Sequence, residues 1–229
     1  TFYQKMSTEE QSAENKGIES ISQFLENNRQ NVMIAGIALI VVAAGIYYYS
    51  NFYQPAFETE AGDSFFMAER YYGQDSLNQA LNGDGMNLGM IAIADEYSGT
   101  KAGNQAAYYA GRILLDQGKF EEALDYLGDV TMDDEIMSAQ VITLKGDCNS
   151  ELEQYETAAD LYIQAANSRT NELTTPYALL KAGMAYEEAG DPSEALEAYE
   201  TLSANYAESQ YAQKIEIRIA KAKAAKNAK

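Results

Sequence analysis

Carboxylates are the most abundant chemically capable side chains here, with 35 Asp and Glu among 229 residues. Adjacent pairs such as Glu187 and Glu188 carry the groups needed for acid–base work. Neighbours in a helix point in different directions, however, and nothing nearby suggests a closed pocket. The run Asp133-Asp134-Glu135 invites a calcium reading. That would need alternating oxygen ligands around a glycine turn and a bidentate Glu at the end of the loop. No window supplies this spacing, so the run reads as a solvated helix cap. Cys148 is the single cysteine. It can form neither an internal disulfide nor a Cys-x-x-Cys site, and it reads as a small buried thiol. Histidine is absent, which excludes the Ser-His-Asp triad, the Cys-His dyad and a His-ligated zinc. No phosphate loop or dinucleotide fingerprint is present, and a net charge of -19 leaves no basic face for nucleic acid. The sequence therefore predicts no catalytic residue, no metal site and no cofactor. Recognition by surfaces is the chemistry left to place.

Two kinds of element could position such surfaces. The first is a membrane span over residues 32–49, VMIAGIALIVVAAGIYYY, 18 residues without a charge. At 1.5 Å per residue it covers about 27 Å, close to the hydrocarbon thickness of a bilayer. Its eight Val, Ile and Leu residues together favour insertion by about 2–5 kcal/mol. Val32, Gly36, Ile40 and Ala44 run along it, and Tyr47, Tyr48 and Tyr49 with Phe52 and Tyr53 form an interfacial aromatic belt at one end. A cleaved signal peptide would have a shorter apolar core and a small-x-small exit. Lys5, Lys16 and Arg29 precede the span, and the first basic residue after it is Arg70. The positive-inside rule then keeps residues 1–31 in the cytoplasm and exports residues 50–229. Ile18, Ile21, Phe24 and Leu25 give the short amino segment a small apolar stripe at helical spacing, which reads equally as an amphipathic helix or as a lead-in to the span.

The second element is a repeat. Residues 50–207 hold 28 Asp and Glu against 7 Lys and Arg, whereas residues 208–229 hold 2 against 6. Within the acidic part, residues 106–127, 141–162 and 178–199 align. Gly111, Gly146 and Gly183 superpose, as do Ala123, Ala158 and Ala195, in steps of 35 and then 37 residues. Leu127, Tyr162 and Tyr199 also superpose; Gly118 and Gly190 occupy a turn where the middle copy has Glu153. A small residue fits where two helices cross, and a bulky one a turn further on is expected to fill the gap against the next repeat. Thr175-Pro176 and Asp191-Pro192 each place a cap residue before a proline that starts a helix. This pattern resembles the tetratricopeptide repeat, a helix-turn-helix unit stacked into a solenoid. Phe57 to Leu81 reads as one long helix with Ala61, Phe65, Ala68 and Tyr72 on one side. Met86 to Tyr97 reads as its divergent partner, and residues 208–225 as a terminal capping helix.

The predicted architecture is all-α: one transmembrane helix followed by a tetratricopeptide-repeat solenoid. The resemblance implies that the first helix of each pair faces an inner groove. By alignment, Gln105, Tyr108, Arg112 and Leu115 would line it in the first copy. Gln140, Thr143, Asp147 and Ser150 would follow in the second, and Tyr177, Leu180, Met184 and Glu187 in the third. This mixture suits an extended or helical peptide. Relatives that clamp a terminal carboxylate use Lys, Arg and Asn in the groove, whereas Arg112 is the one cation among these positions.

The layout of a short start, one span and an acidic repeat domain is similar to the YfgM-like ancillary subunits of the bacterial Sec translocon. Residues 100–111, TKAGNQAAYYAG, and the Thr-Pro at 175–176 resemble repeat proteins of this type from Bacteroidota. That resemblance implies a non-enzymatic, single-pass inner-membrane protein that binds the SecYEG translocon together with a PpiD-type membrane-anchored periplasmic chaperone. A structural scaffold in another envelope assembly, such as gliding or type IX secretion machinery, is the alternative reading. An enzyme would have to work without histidine, and 31 cytoplasmic residues are too few for a DNA-binding fold.

Overall fold

The computed structural model describes residues 23–228, and among them the regular structure is helical throughout, with no strand. Ile18, Ile21, Lys5 and Lys16 lie outside the described residues, while Phe24 and Leu25 are exposed. The chain separates into two compact units, one up to Ala56 and one from Phe57 onward.

In the first unit, α1 spans Arg29–Tyr48 and a π-helical turn follows at Tyr49–Tyr53. No residue of α1 is buried against protein. Tyr48 stacks on Phe52 at 5.8 Å and Tyr49 on Tyr53 at 5.5 Å, so the aromatic residues pack along the helix in i, i+4 pairs. This region is long and apolar enough to cross a membrane, with a mean hydropathy of 2.2 over its best window.

The second unit contains α2 (Gln54–Gly73) from Phe57, α3 (Leu77–Asn82), α4 (Met90–Glu96), α5 (Lys101–Asp116), α6 (Phe120–Gly128), α7 (Glu135–Glu151), α8 (Tyr155–Ser168), α9 (Thr175–Ala189), α10 (Pro192–Asn205) and α11 (Ile215–Asn227). The three repeats are the pairs α5–α6, α7–α8 and α9–α10. At each crossing the glycine of the first helix meets the bulky residue of the second. A Cβ on Gly111 would lie 2.5 Å from Leu127 Cγ, and one on Gly146 would lie 2.6 Å from Tyr162 Cε1; at Gly183 the Tyr199 ring blocks the same space. The bulky residue thus closes the crossing inside its own repeat, and Tyr162 also packs in one buried cluster with Ala182 and Ala185 of the next, as expected. Ala123, Ala158 and Ala195 are fully buried.

The amino-terminal region departs from its sequence reading. The helix expected over Phe57 to Leu81 breaks after Gly73, and Asp75 turns the chain with φ +58°. The helix expected from Met86 begins only at Met90. Asp84 holds the intervening loop: its Oδ1 accepts from the Met86 and Asn87 N–H groups, and its Oδ2 accepts from Tyr71 Oη at 2.6 Å. The Tyr71 hydrogen bond, first, and the Asn87 bonds keep the Asp84 carboxyl well below the usual carboxylate range. On α2, Ala61, Phe65 and Ala68 are buried as expected. Phe57 packs on Tyr97 and Phe65 on Tyr109, fastening α2 to α4 and α5.

Caps follow the sequence in part. Asp191 Oδ1 accepts from the Ser193 and Glu194 N–H groups, and Asp134 does the same for Ile136 and Met137. Thr175, by contrast, lies inside α9; Asn171 Oδ1 accepts from Leu173 and Thr174 N–H and takes over the turn. Residues 208–225 are not one helix. A 3₁₀ turn at Gln210–Ala212 precedes α11, and Lys214 stands between them with φ +65°.

Glu153 adopts φ +59°, the conformation that glycine supplies at Gly118 and Gly190. A side chain there costs about 1–2 kcal/mol, offset by roughly 0.4–1 kcal/mol of unfolded-chain restriction that glycine would lack. Glu153→Gly is therefore expected to stabilise the domain by about 0.5–1 kcal/mol. The urea midpoint should rise at unchanged slope; a lower midpoint would contradict this account.

Candidate functional site

The carboxyl-terminal halves of the first helices form a groove across the repeats. One cavity of about 380 Å³ lies between Leu115, Phe120, Ser150 and Tyr162. A second of about 360 Å³ continues from Ser150 and Tyr162 to Met184, Glu187 and α11. Ser150, Tyr162 and Lys181 line both, so the two are one surface.

The groove floor is built by a relay that also ties the repeats together. Tyr162 packs on Gly146 and passes its phenol through the crossing, where Oη donates to Asp147 Oδ1 at 2.7 Å. The same oxygen accepts from Lys181 Nζ of the next repeat at 2.8 Å. The Lys181 ammonium lies 5.5 Å from the centres of both the Tyr162 and Tyr177 rings. One repeat on, the arrangement recurs. Tyr199 packs on Gly183, and its Oη donates to Glu187 Oε2 at 3.1 Å. Arg218 Nη1 of α11 donates to the same oxygen at 2.8 Å, and Lys221 Nζ faces Glu187 Oε1 at 3.2 Å. In the first repeat Leu127 has no hydroxyl, so the relay is missing there.

Burial sets the ionisation of these groups. It pushes the Tyr162 and Tyr199 phenols well above their ordinary value, with the Asp147 and Glu187 charges adding to it. Both tyrosines are therefore neutral donors. Burial alone would lower the Lys181 pKa, but the Asp147 charge and hydrogen bond outweigh it and the net direction is up. Cys148 is fully buried and its thiol is pushed up to about 11, chiefly by burial. It is an inert packing residue.

Of the positions assigned to the groove by alignment, the structure brings Leu115, Asp147, Ser150, Met184 and Glu187 together on this surface. Tyr108 and Thr143 are buried instead, at 3% and 6% exposure. Arg112 is half-buried, with Nη1 3.4 Å from Tyr108 Oη. Leu180 packs into the core cluster, Tyr177 packs on Tyr211 at 5.2 Å, Gln140 is half-buried and Gln105 is exposed. Packing takes up Tyr108, Thr143 and Leu180, and the first-helix residues that line the cavities come from the later turns. The sequence reading missed Lys181, Tyr162, Arg218 and Lys221. Their contribution depends on reach from a neighbouring helix, and the one available signal was the isolated Lys at 181 in an acidic stretch.

This geometry defines a class: a solenoid of helix pairs with an open inner surface. Residues 177–209 match the tetratricopeptide repeat family. Two solved structures share the fold. They are a kinesin-light-chain-type protein of Podosopora anserina with nearly identical TPR-like repeats, and a single-residue variant of it. Each is 15% identical, with the match covering 75% of this chain and 89% of the other at a TM-score of 0.56. No curated protein matches the sequence. The chain carries tetratricopeptide-type repeats, a fold that typically serves as a non-catalytic scaffold for protein partners.

Proposed function

We propose that this protein is a non-enzymatic, single-pass membrane-anchored scaffold whose groove holds a partner polypeptide. In this reading residues 32–49 are the anchor, residues 1–31 are cytoplasmic and residues 50–229 form the periplasmic repeat domain. It acts as an accessory subunit of the Sec translocon, with the span against SecYEG and the repeat domain retaining a PpiD-type periplasmic chaperone near the channel exit. The groove carries the reading. It runs across two repeats, has apolar walls at Leu115, Phe120 and Met184, and is held open by the Asp147 and Glu187 relays. The apolar, unburied α1 supports the anchor, and the similarity of layout to translocon accessory subunits supports the choice of partners.

Purification of the full chain from detergent-solubilised native membranes tests this. SecYEG components and one periplasmic chaperone should be recovered. Ser150→Trp, which fills the junction of the two cavities, should lose the chaperone and keep the channel. Recovery of no translocon component would remove the Sec assignment. Recovery unchanged by Ser150→Trp would remove the groove from the account.

A further inference from the structure

The acids of the groove fall into two sets. Asp147 is paired with Lys181 of the next repeat, and Glu187 with Arg218 and Lys221 of α11. Asp116, Glu151 and Glu188 are not: each is exposed and, among the described residues, none joins an ion pair. These three occupy the same place in successive repeats, five residues beyond Gly111, Gly146 and Gly183. Asp116 and Glu151 border the first cavity and Glu188 the second.

Their position is unfavourable to the fold alone. Asp116 and Glu151 are the last residues of α5 and α7, and Glu188 is the penultimate residue of α9. A helix carboxyl end carries partial negative charge and stabilises cations. No basic residue occupies the last turn of any of these three helices. Three times over, a carboxylate stands against the dipole on the rim of a groove with apolar walls; Arg112 attracts Asp116 from one turn earlier without closing an ion pair, and among the described residues no cation pairs with Glu151 or Glu188.

We infer that the groove recognises a basic, extended segment of a partner polypeptide, one that presents Lys or Arg side chains to Asp116, Glu151 and Glu188. This rests on the reading of the groove as a polypeptide-binding surface and names the chemistry of what it binds. Leu115, Phe120 and Tyr162 line the first cavity beside Asp116 and Glu151. They supply the surface on which an aliphatic stem lies while its cation reaches the carboxylates. An acidic segment is excluded by the same charges, because Lys181 and Arg218 are already engaged by Asp147 and Glu187.

Fluorescence anisotropy with the full chain in detergent micelles tests the inference. The probes are a short labelled peptide of alternating Lys and Ala, and its Glu and Ala counterpart. The Lys peptide should bind and weaken with added salt, and the Glu peptide should not bind. Asp116→Asn with Glu151→Gln should weaken the Lys peptide about tenfold, equivalent to about 1.4 kcal/mol. The variant should melt no lower than the parent, since unfavourable end charges are removed. Glu121→Gln with Glu156→Gln makes the same charge change on the second helices, at positions that line neither cavity, and should alter affinity by about twofold or less. Equal weakening by both double variants would mean diffuse attraction to an acidic chain and would overturn the inference. Failure of the Lys peptide while Ser150→Trp still releases a native partner would overturn the basic segment alone. Failure of both would overturn the groove as well.

Discussion

Gly183→Val is expected to destabilise the repeat domain more than any single surface change. The valine side chain would enter the space filled by the Tyr199 ring, whose Cε1, Cδ1 and Cζ all lie against the glycine. Tyr199 is fully buried and cannot retreat without giving up its bond to Glu187 Oε2. Overpacking costs about 1–3 kcal/mol and the lost hydrogen bond about 0.5–1.5 kcal/mol, for a total of roughly 2–4 kcal/mol. For a domain of this size that lowers Tm by about 4–16 °C. Intrinsic helix propensity works the other way, since glycine costs about 0.5–1 kcal/mol in a helix interior, but the term is too small to change the sign. Gly62→Ala on α2 isolates that term, because a Cβ there meets nothing within 4 Å, and it should stabilise by about 0.5–1 kcal/mol. Adding Tyr199→Ala to Gly183→Val should cost less than the two changes summed, as contact between them requires. Thermal melts followed by circular dichroism decide the matter. A Gly183→Val protein that melts with the parent would remove the close crossing on which the repeat assignment stands.

The crossings were legible because they follow from local identity. A glycine or alanine recurring at one step, with a bulky residue at a fixed offset, leaves few ways to pack two helices. The Asp191-Pro192 start was legible for the same reason: cap, proline and first turn are neighbours in sequence. Where the sequence reading failed, the deciding interaction was distant or cost energy. Gly73 closes α2, but the turn itself is made two residues later, where the non-glycine Asp75 is held at φ +58°. The late start of α4 follows from Asp84, whose partner Tyr71 lies 13 residues away.

The groove was half legible for a related reason. The cavities border the first helices that alignment assigned to the groove, yet Tyr108, Thr143 and Leu180, each three residues before its glycine, are buried or half-buried. Residues after the glycine line the cavities at Leu115, Asp147, Ser150, Met184 and Glu187. Periodicity gives the face of a helix but not how far along it a neighbour extends. The cations were invisible in the same way. Lys181 acts on Asp147 from 34 residues away and Arg218 on Glu187 from 31, and nothing in a repeat alignment couples those positions.

Gly36→Arg with Ile40→Arg is expected to move the protein from the membrane to the soluble fraction. The two residues lie one turn apart near the middle of residues 32–49, so both arginines meet the bilayer core on the same face. Each arginine at mid-membrane costs about 2.5–3.5 kcal/mol, and the pair about 5–7 kcal/mol. The eight Val, Ile and Leu residues supply only about 2–5 kcal/mol in favour of insertion, so the balance reverses. Protein packing cannot substitute for lipid here, because no residue of α1 is buried. Wild-type protein should stay in the pellet after an alkaline wash of isolated membranes, and mass spectrometry of that pellet should recover peptides from residues 23–49, which a cleaved signal peptide would leave missing. The double variant should appear in the supernatant. Phe66→Arg, at an exposed position on α2, should leave the wild-type distribution unchanged. If alkali releases the wild-type protein, or if the double variant remains in the pellet, residues 32–49 are not the anchor, and a scaffold tethered beside a channel loses its tether.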